Sequence, residues 1–524
     1  MESTLLINRA FGETRVALLE GGVVTEIHVE RDEELGLVGN VYKGRVTRVL
    51  PGMQAAFVDI GLPRAAFLYV DDVRSATEVA EPTFDPETAI PTIDEHEHEG
   101  DHDQETTEAP IPEVRKEQRS ISELITEGEE IVCQVSKDPL GSKGARITTY
   151  VTLPGRYVVI MPSMAHVGIS KRITDETERK RLRGVVERFK RDTDGGFIVR
   201  TEGAGIDEAK LAEDMGFVRS LWGEVEARAK STRAPALLLP DLDLVLRAAR
   251  DLFTREVERL IVDDPHELLR IQAFISKFSP TLAERVRLHT GSVPLFDQYG
   301  VETEIERTLL RKVGMKSGAT IVIDQAEALT AIDVNTGRFV GKQNLEATIL
   351  RTNLEAVKEI VTQLRLRNIG GLIVIDFIDM ESEESRLRVY EAFLEELKSD
   401  RAKTHVLPIS ELGVIEMTRK RVRDSLERRL TEPCPYCDGR GRVRSRATVT
   451  HDVLREIARQ AQKHGGKDLV VSASPEIAAI LTEDKNEALI ELETRSGRSV
   501  IVEARNDFHR ETFQVRAREK AHGT

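Results

Sequence analysis

Cysteine is scarce in this chain, with three in 524 residues, so a disulfide framework is excluded as the source of its stability. Aromatic residues are few as well, at 5% with a single tryptophan, and no apolar run approaches the length needed to cross a bilayer. The opening MESTLLINRAFGETR lacks the apolar segment of a secretory signal. A soluble, cytoplasmic protein without a membrane anchor is expected. Excess positive charge is also missing, because the net charge is −15, which on its face disfavours a polyanionic partner. The distribution changes that view. Residues 75–114 hold thirteen Asp and Glu and no Lys or Arg, so the remainder carries only −2. This Pro- and Glu-rich segment is expected to be a disordered insert, in which His96, His98 and His102 are better read as solvated than as metal ligands.

What is present centres on residues 320–380. TIVIDQAEALTAIDVNTGR has two apolar runs broken at Gln325-Ala326-Glu327, which predicts a hairpin. In its second arm Asp333 and Asn335 stand two residues apart, so both side chains share one face. Leu345, Ile349, Leu354, Val357, Val361 and Leu364 then recur at helical spacing up to the breaker Gly370-Gly371. GLIVIDFIDM follows as a short buried strand with Asp376 near its end, and Asp379 beyond it at opposite parity. A crossover from one strand through a helix to a parallel strand sets the two strand ends side by side. Asp333, Asn335 and Asp376 are therefore expected to meet in one crevice. Oxygen ligands of this type suit Mg²⁺ and phosphodiester hydrolysis, although any single Asp at a strand end also serves as a turn or cap residue.

Elsewhere, residues 36–74 and 120–152 read as two halves of one small β-barrel split by the acidic insert. Phe57 and Phe67 lie among Lys43, Arg45, Arg48 and Arg64, as expected of a fold that stacks bases and tracks phosphates, while the competing reading makes both rings barrel core. Lys137 and Lys143 flank a Gly-bearing loop, and Cys133 reads as an inert core thiol. Arg200 and Thr201 end an apolar strand just before Gly203-Ala204-Gly205, where an Arg, a hydroxyl and open backbone N–H groups would hold a monophosphate; an ordinary Arg-Thr pair is the plainer alternative. The N-terminal strands of residues 4–30 are too few to bury a core and are expected to join a sheet completed by ERLIVDD. Arg419, Lys420, Arg421 and Arg423 form a basic run, read as a solvated helix face or as phosphate neutralisers at the cleavage point. In CPYCDGRGRV, Cys434 and Cys437 have zinc-ligand spacing but supply two of four ligands, so either two chains share a zinc or the turn is metal-free. The tail from 445 reads as helix, strand, helix, strand, strand, with ALIELETR taken as a strand.

TAIDVNTGR, GLIVIDFIDM, LGVIEMTRKR and CPYCDGRGRV, in that order, resemble the bacterial ribonuclease E/G family, and the similarity runs from residue 1 to about 520. The resemblance implies a Mg²⁺-dependent endoribonuclease that cuts single-stranded, A/U-rich RNA in rRNA and tRNA processing and mRNA decay. Asp333 and Asp376 would hold the ion, with Asn335 assisting. It implies a multidomain α/β and β fold: a ribonuclease-H-like subdomain (1–35 and 246–308), an S1-type OB-fold (36–152, with the insert at 75–114) and a 5′-sensor region (153–245). A DNase-I-like catalytic subdomain (309–430), a zinc link (431–444) and a small α/β oligomerisation domain (445–524) would follow. In the S1-type domain the positions of Phe57, Phe67 and Lys143 contact RNA; those of Arg200, Thr201 and Arg172 sense a 5′-monophosphate. The cysteines would join protomers through Zn²⁺ into dimers that pair as tetramers. With no long extension after the tail, the chain resembles the shorter form of the family. A noncatalytic RNA-binding scaffold and a deoxyribonuclease are the alternatives.

Overall fold

The computed structural model describes residues 2–73, 120–139, 143–277, 279–336, 345–410, 412–421, 424–463, 467–483 and 487–518. The acidic insert with its histidines, and Arg423, lie outside the described residues. The chain forms two compact units, Met1–Leu430 and Thr431–Thr524. Together they make a mixed α/β, multidomain protein that includes a closed five-stranded barrel.

The N-terminal strands Ser3–Ala10, Glu13–Glu20 and Val23–Arg31 form an antiparallel meander, and Val257–Val262 adds to it in parallel beside Ser3–Ala10. The pairing has a clear cause. Leu5, Ile7, Val16 and Leu18 alternate toward one face, where Leu260, Val262 and the helices Leu244–Asp251 and Pro265–Ser276 cover them. Asp264 caps the second helix by accepting the N–H groups of His266 and Glu267 at 2.8 and 2.9 Å.

The barrel runs Val41–Leu50, Ala55–Asp59, Ala66–Tyr69, Arg146–Thr148, Glu130–Lys137 and back to Val41–Leu50. Its lumen is filled by Val46, Ala56, Val58, Leu68, Cys133, Val135 and Ile147. Burial pushes the Cys133 thiol up to about 12, so it is inert. One strand comes from an unexpected place: Ala236–Leu239, after the 24-residue helix Glu208–Ser231, extends the barrel sheet along Val41–Lys43. A four-stranded sheet of Val167–Ile169, Gly196–Val199, Val158–Met161 and Leu153–Pro154 packs on that helix and on Glu176–Phe189.

The sheet of interest has the order Lys312–Gly314, Thr320–Gln325, Leu329–Asn335, Gly371–Asp376, Val414–Arg419, Thr404–Val406. Ile321, Ile323, Ile332, Val334, Ile373, Ile375, Ile415 and Met417 alternate onto one face and pack on Ala356, Val357, Ile360, Val361 and Leu364 of the helix Leu345–Leu366. That helix ends at Asn368 and Gly371, whose φ angles of 49° and 97° turn the chain back into the sheet. The helices thus cover one face of the sheet. On the other, Ala331, Asp333, Asn335, Leu372, Asp376 and Glu416 are exposed.

Two expectations fail here. The basic run at 419 is not a helix face: Val414–Arg419 is a strand, and alternation turns Arg419 inward to 6% exposure. Its guanidinium is occupied by Asp400 at 2.7 and 2.9 Å and by the Ile369 carbonyl at 2.8 Å. In the second unit, ALIELETR belongs to a helix, Glu487–Ser496. Its alternating look comes from Ile490 and Leu492 between glutamates, but in the helix Leu489 and Leu492, three apart, share the face against the core while Ile490 is exposed, in a run of Ala, Leu and Glu that favours helix. The sheet there consists of Val500–Ala504, Asp468–Ala473 and Phe513–Arg518, the last not anticipated.

Candidate functional site

Parallel register decides the centre. Leu329–Asn335 and Gly371–Asp376 pair so that Asp333 lies directly opposite Asp376, at the same end of the sheet and on the uncovered face. Asn335, two residues on, donates from Nδ2 to Asp333 Oδ2 at 2.7 Å and fixes the carboxylate. The three residues expected to converge do so. Partial burial raises the pKa of Asp376 above its ordinary carboxylate value, and the charges of Asp333 and then Asp379 push it the same way. Two like charges gathered on adjacent strands, with no basic partner among the described residues, are a place where a cation relieves repulsion. Among the described residues no three His, Cys, Asp or Glu side chains come together as a metal cage. Two carboxylates with room for water fit a hydrated Mg²⁺ better than a structural ion.

Asp379 is held by a device that the sequence did not reveal. Asn353, fully buried on the long helix, donates to the Ile378 carbonyl at 2.8 Å and accepts its N–H at 3.2 Å. This fixes the segment just after Asp376.

On the barrel, Phe57 and Phe67 are not core. They are paired across the strands, half-buried, with ring centroids 4.6 Å apart at a tilt of 52° on the outer surface, while smaller Ala56, Val58 and Leu68 fill the lumen. Register extends the row: Arg48 lies opposite Phe57, Arg146 opposite Phe67, and Lys137 opposite Arg146. Arg146 was missed in the sequence. Its guanidinium is held by Asp72 at 2.8 Å and lies 5.0 Å from the centre of the Tyr69 ring. Lys143 is exposed beside Gly144, which lies so close to the next strand that a Cβ there would come within 2.0 Å of the Ala65 carbonyl oxygen.

Around the expected monophosphate pocket the residues separate. Thr201 Oγ1 lies 3.0 Å from Ser170 Oγ, which also accepts the Arg172 N–H at 3.2 Å, and the Arg172 side chain is exposed. Arg200 points elsewhere. It is 4% exposed, with Nη1 donating to the carbonyls of Gly155 (2.8 Å) and Arg156 (3.2 Å) and to Asp251 (3.1 Å). Burial opposes the charge on Asp251, but Arg250 and Arg200 hold its carboxyl well below the usual range. The open N–H groups expected at the glycines are taken: Gly203 and Ala204 bond to the carbonyls of Arg200 and Thr201, and Gly205 donates to Glu178 at 2.8 Å.

Cys434 is exposed and Cys437 half-exposed on a tight turn with Asp438, Gly439 and Gly441 at positive φ, and Gly441 donates its N–H to Cys437 Sγ at 3.3 Å. The N–H groups of Cys437 and Tyr436 lower the Cys434 thiol below its ordinary value, favouring thiolate.

Residues 152–422 match the Ribonuclease E/G family, and residues 433–519 match its thioredoxin-like domain. Ribonuclease G of Escherichia coli (strain K12) is 44% identical over 515 residues, 98% of this chain and 99% of that protein. The chain belongs to the ribonuclease E/G family. Ribonuclease G of Haemophilus influenzae is 43% identical over 512 residues, covering 98% of each chain. Ribonuclease E of the same organism is 34% identical over 508 residues, which are 96% of this chain but 51% of that protein. Within this ribonuclease E/G chain the Asp pair falls inside the first matched region and the cysteines inside the second. Among the described residues no helix is long and apolar enough to cross a membrane.

Proposed function

We propose that this protein is an endoribonuclease that hydrolyses single-stranded RNA at the Asp333–Asp376 centre. The observation that carries this reading is the direct pairing of the two carboxylates on an uncovered sheet face, with Asn335 bound to one of them. Asp333 and Asp376 would hold Mg²⁺ and Asn335 would orient Asp333. When bound, the ion supplies Lewis-acid polarisation of the scissile phosphate and a more acidic water. Hydrolysis at this centre would leave a 3′-hydroxyl and a 5′-phosphate. The exposed face leaves space for an extended strand, and the Phe57–Phe67 row with Arg48, Arg146, Lys137 and Lys143 would stack its bases and neutralise its backbone.

The finer assignments follow the family. The barrel would be an S1-type OB-fold within 36–152, the sheet of residues 312–419 a DNase-I-like catalytic subdomain within 309–430, and the N-terminal sheet a ribonuclease-H-like subdomain from 1–35 and 246–308. In the 153–245 region Arg200, Thr201 and Arg172 would form the 5′-monophosphate sensor, with Arg200 tied to Asp251 at the end of its strand. Cys434 and Cys437, in a zinc link at 431–444, would share Zn²⁺ with a second copy, giving a homodimer that can pair into a tetramer through the small domain at 445–524. A cytoplasmic enzyme of rRNA and tRNA maturation and mRNA decay, with a preference for A/U-rich sites, is the corresponding role.

The test is cleavage of one short, unstructured RNA carrying either a 5′-monophosphate or a 5′-hydroxyl, with Mg²⁺ and with chelator, by the parent protein and Asp376→Asn. Cutting that needs Mg²⁺, is faster on the monophosphate and disappears in the variant supports the whole reading. Cutting without a 5′ preference removes the sensor. Tight binding with no cutting under any condition leaves a noncatalytic RNA scaffold.

A further inference from the structure

At the end of the catalytic sheet opposite to Asp333 and Asp376 lies a small cavity of about 20 Å³ lined by Gln325, Gly370, Arg421, Asp424, Ser425 and Arg428. Its chemistry is unusual. Arg421 and Arg428 are exposed, and among the described residues neither guanidinium has a hydrogen-bond or ion-pair partner, although this chain pairs most of its arginines. Gln325 accepts the Ser425 hydroxyl at 3.0 Å through Oε1, which leaves its buried Nε2 donor with no partner. An unsatisfied buried donor costs about 1–3 kcal/mol, so such a group normally faces a ligand or water. Gly370 keeps the wall open to the arginine: a Cβ there would stand 2.7 Å from the Arg421 backbone. Asp424 offsets one of the two positive charges, and the net charge of the lining groups is positive. The volume holds one or two water-sized groups, enough for the oxygens of one oxyanion. Arginine forks and an amide donor match a phosphate.

We propose that this pocket anchors one backbone phosphate of the RNA, several nucleotides from the bond that is cut. Gly371–Asp376 runs from the pocket end of the sheet to the catalytic pair, about 17 Å at strand rise. Ala331, Leu372 and Glu416 leave the face that carries the pair uncovered, while Gln325 and Thr330 have helix-facing parity, so the RNA would turn round the end of the sheet to reach the pocket. The pocket reads no sequence; it sets the path and direction of the strand. The inference rests on Asp333 and Asp376 being the cleavage centre, and is tested by binding so that the two can fail separately.

The experiment uses full-length Asp376→Asn protein, with and without Arg421→Gln plus Arg428→Gln, and a set of identical unstructured RNAs in which one phosphate at a time is replaced by a neutral methylphosphonate. Both arginines are exposed and have no partner among the described residues, so the fold is retained, which circular dichroism checks. Expected is one linkage whose neutralisation weakens binding by about tenfold in the parent and has no effect in the double variant. The salt slope of log affinity should also fall by about 0.7 for each lost cation. The same set of sensitive linkages in both proteins overturns the anchor, as does no sensitive linkage in the parent. Inorganic phosphate that competes at this pocket without any linkage sensitivity overturns it too, assigning the pocket to a free phosphate ligand. Mg²⁺-dependent cutting by the unmodified protein reports on the catalytic reading independently.

Discussion

Replacing Phe57 with leucine separates an RNA-stacking surface from a barrel core. The Phe57 ring is half-buried against Phe67 at 4.6 Å and outside the lumen that Ala56, Val58 and Leu68 fill. Phe57→Leu keeps apolar cover over Phe67 and loses the flat π face. The stability cost should stay near that of a volume-conserving swap plus one lost aromatic pair, about 1–2 kcal/mol. Base stacking on an aromatic is worth about 1–3 kcal/mol, so RNA affinity should fall by about five- to 150-fold. The assay is fluorescence anisotropy of a labelled U-rich RNA in the Asp376→Asn background, at two salt concentrations, beside a urea unfolding curve. Because a stacking contact carries no charge, the loss should be the same at both salts, whereas an indirect effect on Arg48 or Arg146 would shrink as salt rises. Parent-like affinity in a folded Phe57→Leu protein would refute the stacking surface.

Other outcomes can be stated more briefly. Asp379→Asn removes one of the charges that raise Asp376, so the acid limb of the Mg²⁺-dependent pH–rate profile should move to lower pH; an unmoved limb rejects the coupling. In metal-free protein the raised Asp376 favours the fold while protonated, and that contribution is lost as pH rises through its folded value. Asp376→Asn should therefore flatten the pH dependence of stability in that window. Asn353→Ala removes the partner of the half-buried Ile378 N–H and carbonyl, which should cost about 1–3 kcal/mol and weaken Mg²⁺ affinity by calorimetry, whereas a purely structural role would leave Mg²⁺ affinity unchanged. Zinc analysis of the parent should give one ion per two chains, and Cys434→Ser should abolish it and lower the mass by light scattering to that of a monomer; retained dimers with no zinc would reject the shared site.

The meeting of Asp333, Asn335 and Asp376 was legible because it is local in pattern. Asp333 and Asn335 share strand parity, and the crossover rule brings Asp376 beside them without knowledge of any other contact. The outer position of Phe57 was legible in principle, since it shares parity with Asp59, but the preference of phenylalanine for interiors competed with that signal. The buried partners of Arg200 and Arg419 were not legible. Each arginine is buried by a carboxylate distant in sequence, Asp251 and Asp400, and nothing local distinguishes an arginine with such a partner from one that waits for a phosphate. The basic run splits for the same reason: Arg419 turns inward, while Arg421, two residues on, lies at the far end of the sheet from the catalytic pair.

The direct pairing of Asp333 with Asp376 also bears on how such a gene can change. Adding or deleting one codon within Leu329–Asn335 or Gly371–Asp376 reverses the parity of every later side chain in that strand, turning a carboxylate toward the helices and an isoleucine or valine toward water. Two compensating changes would be needed at once to restore the pair. Codons inserted at the hairpin turn near Ala326, outside both strands, disturb no register. Length variation among descendants of this sequence should therefore collect at the turns and spare the two strands, even at positions whose side chains touch nothing.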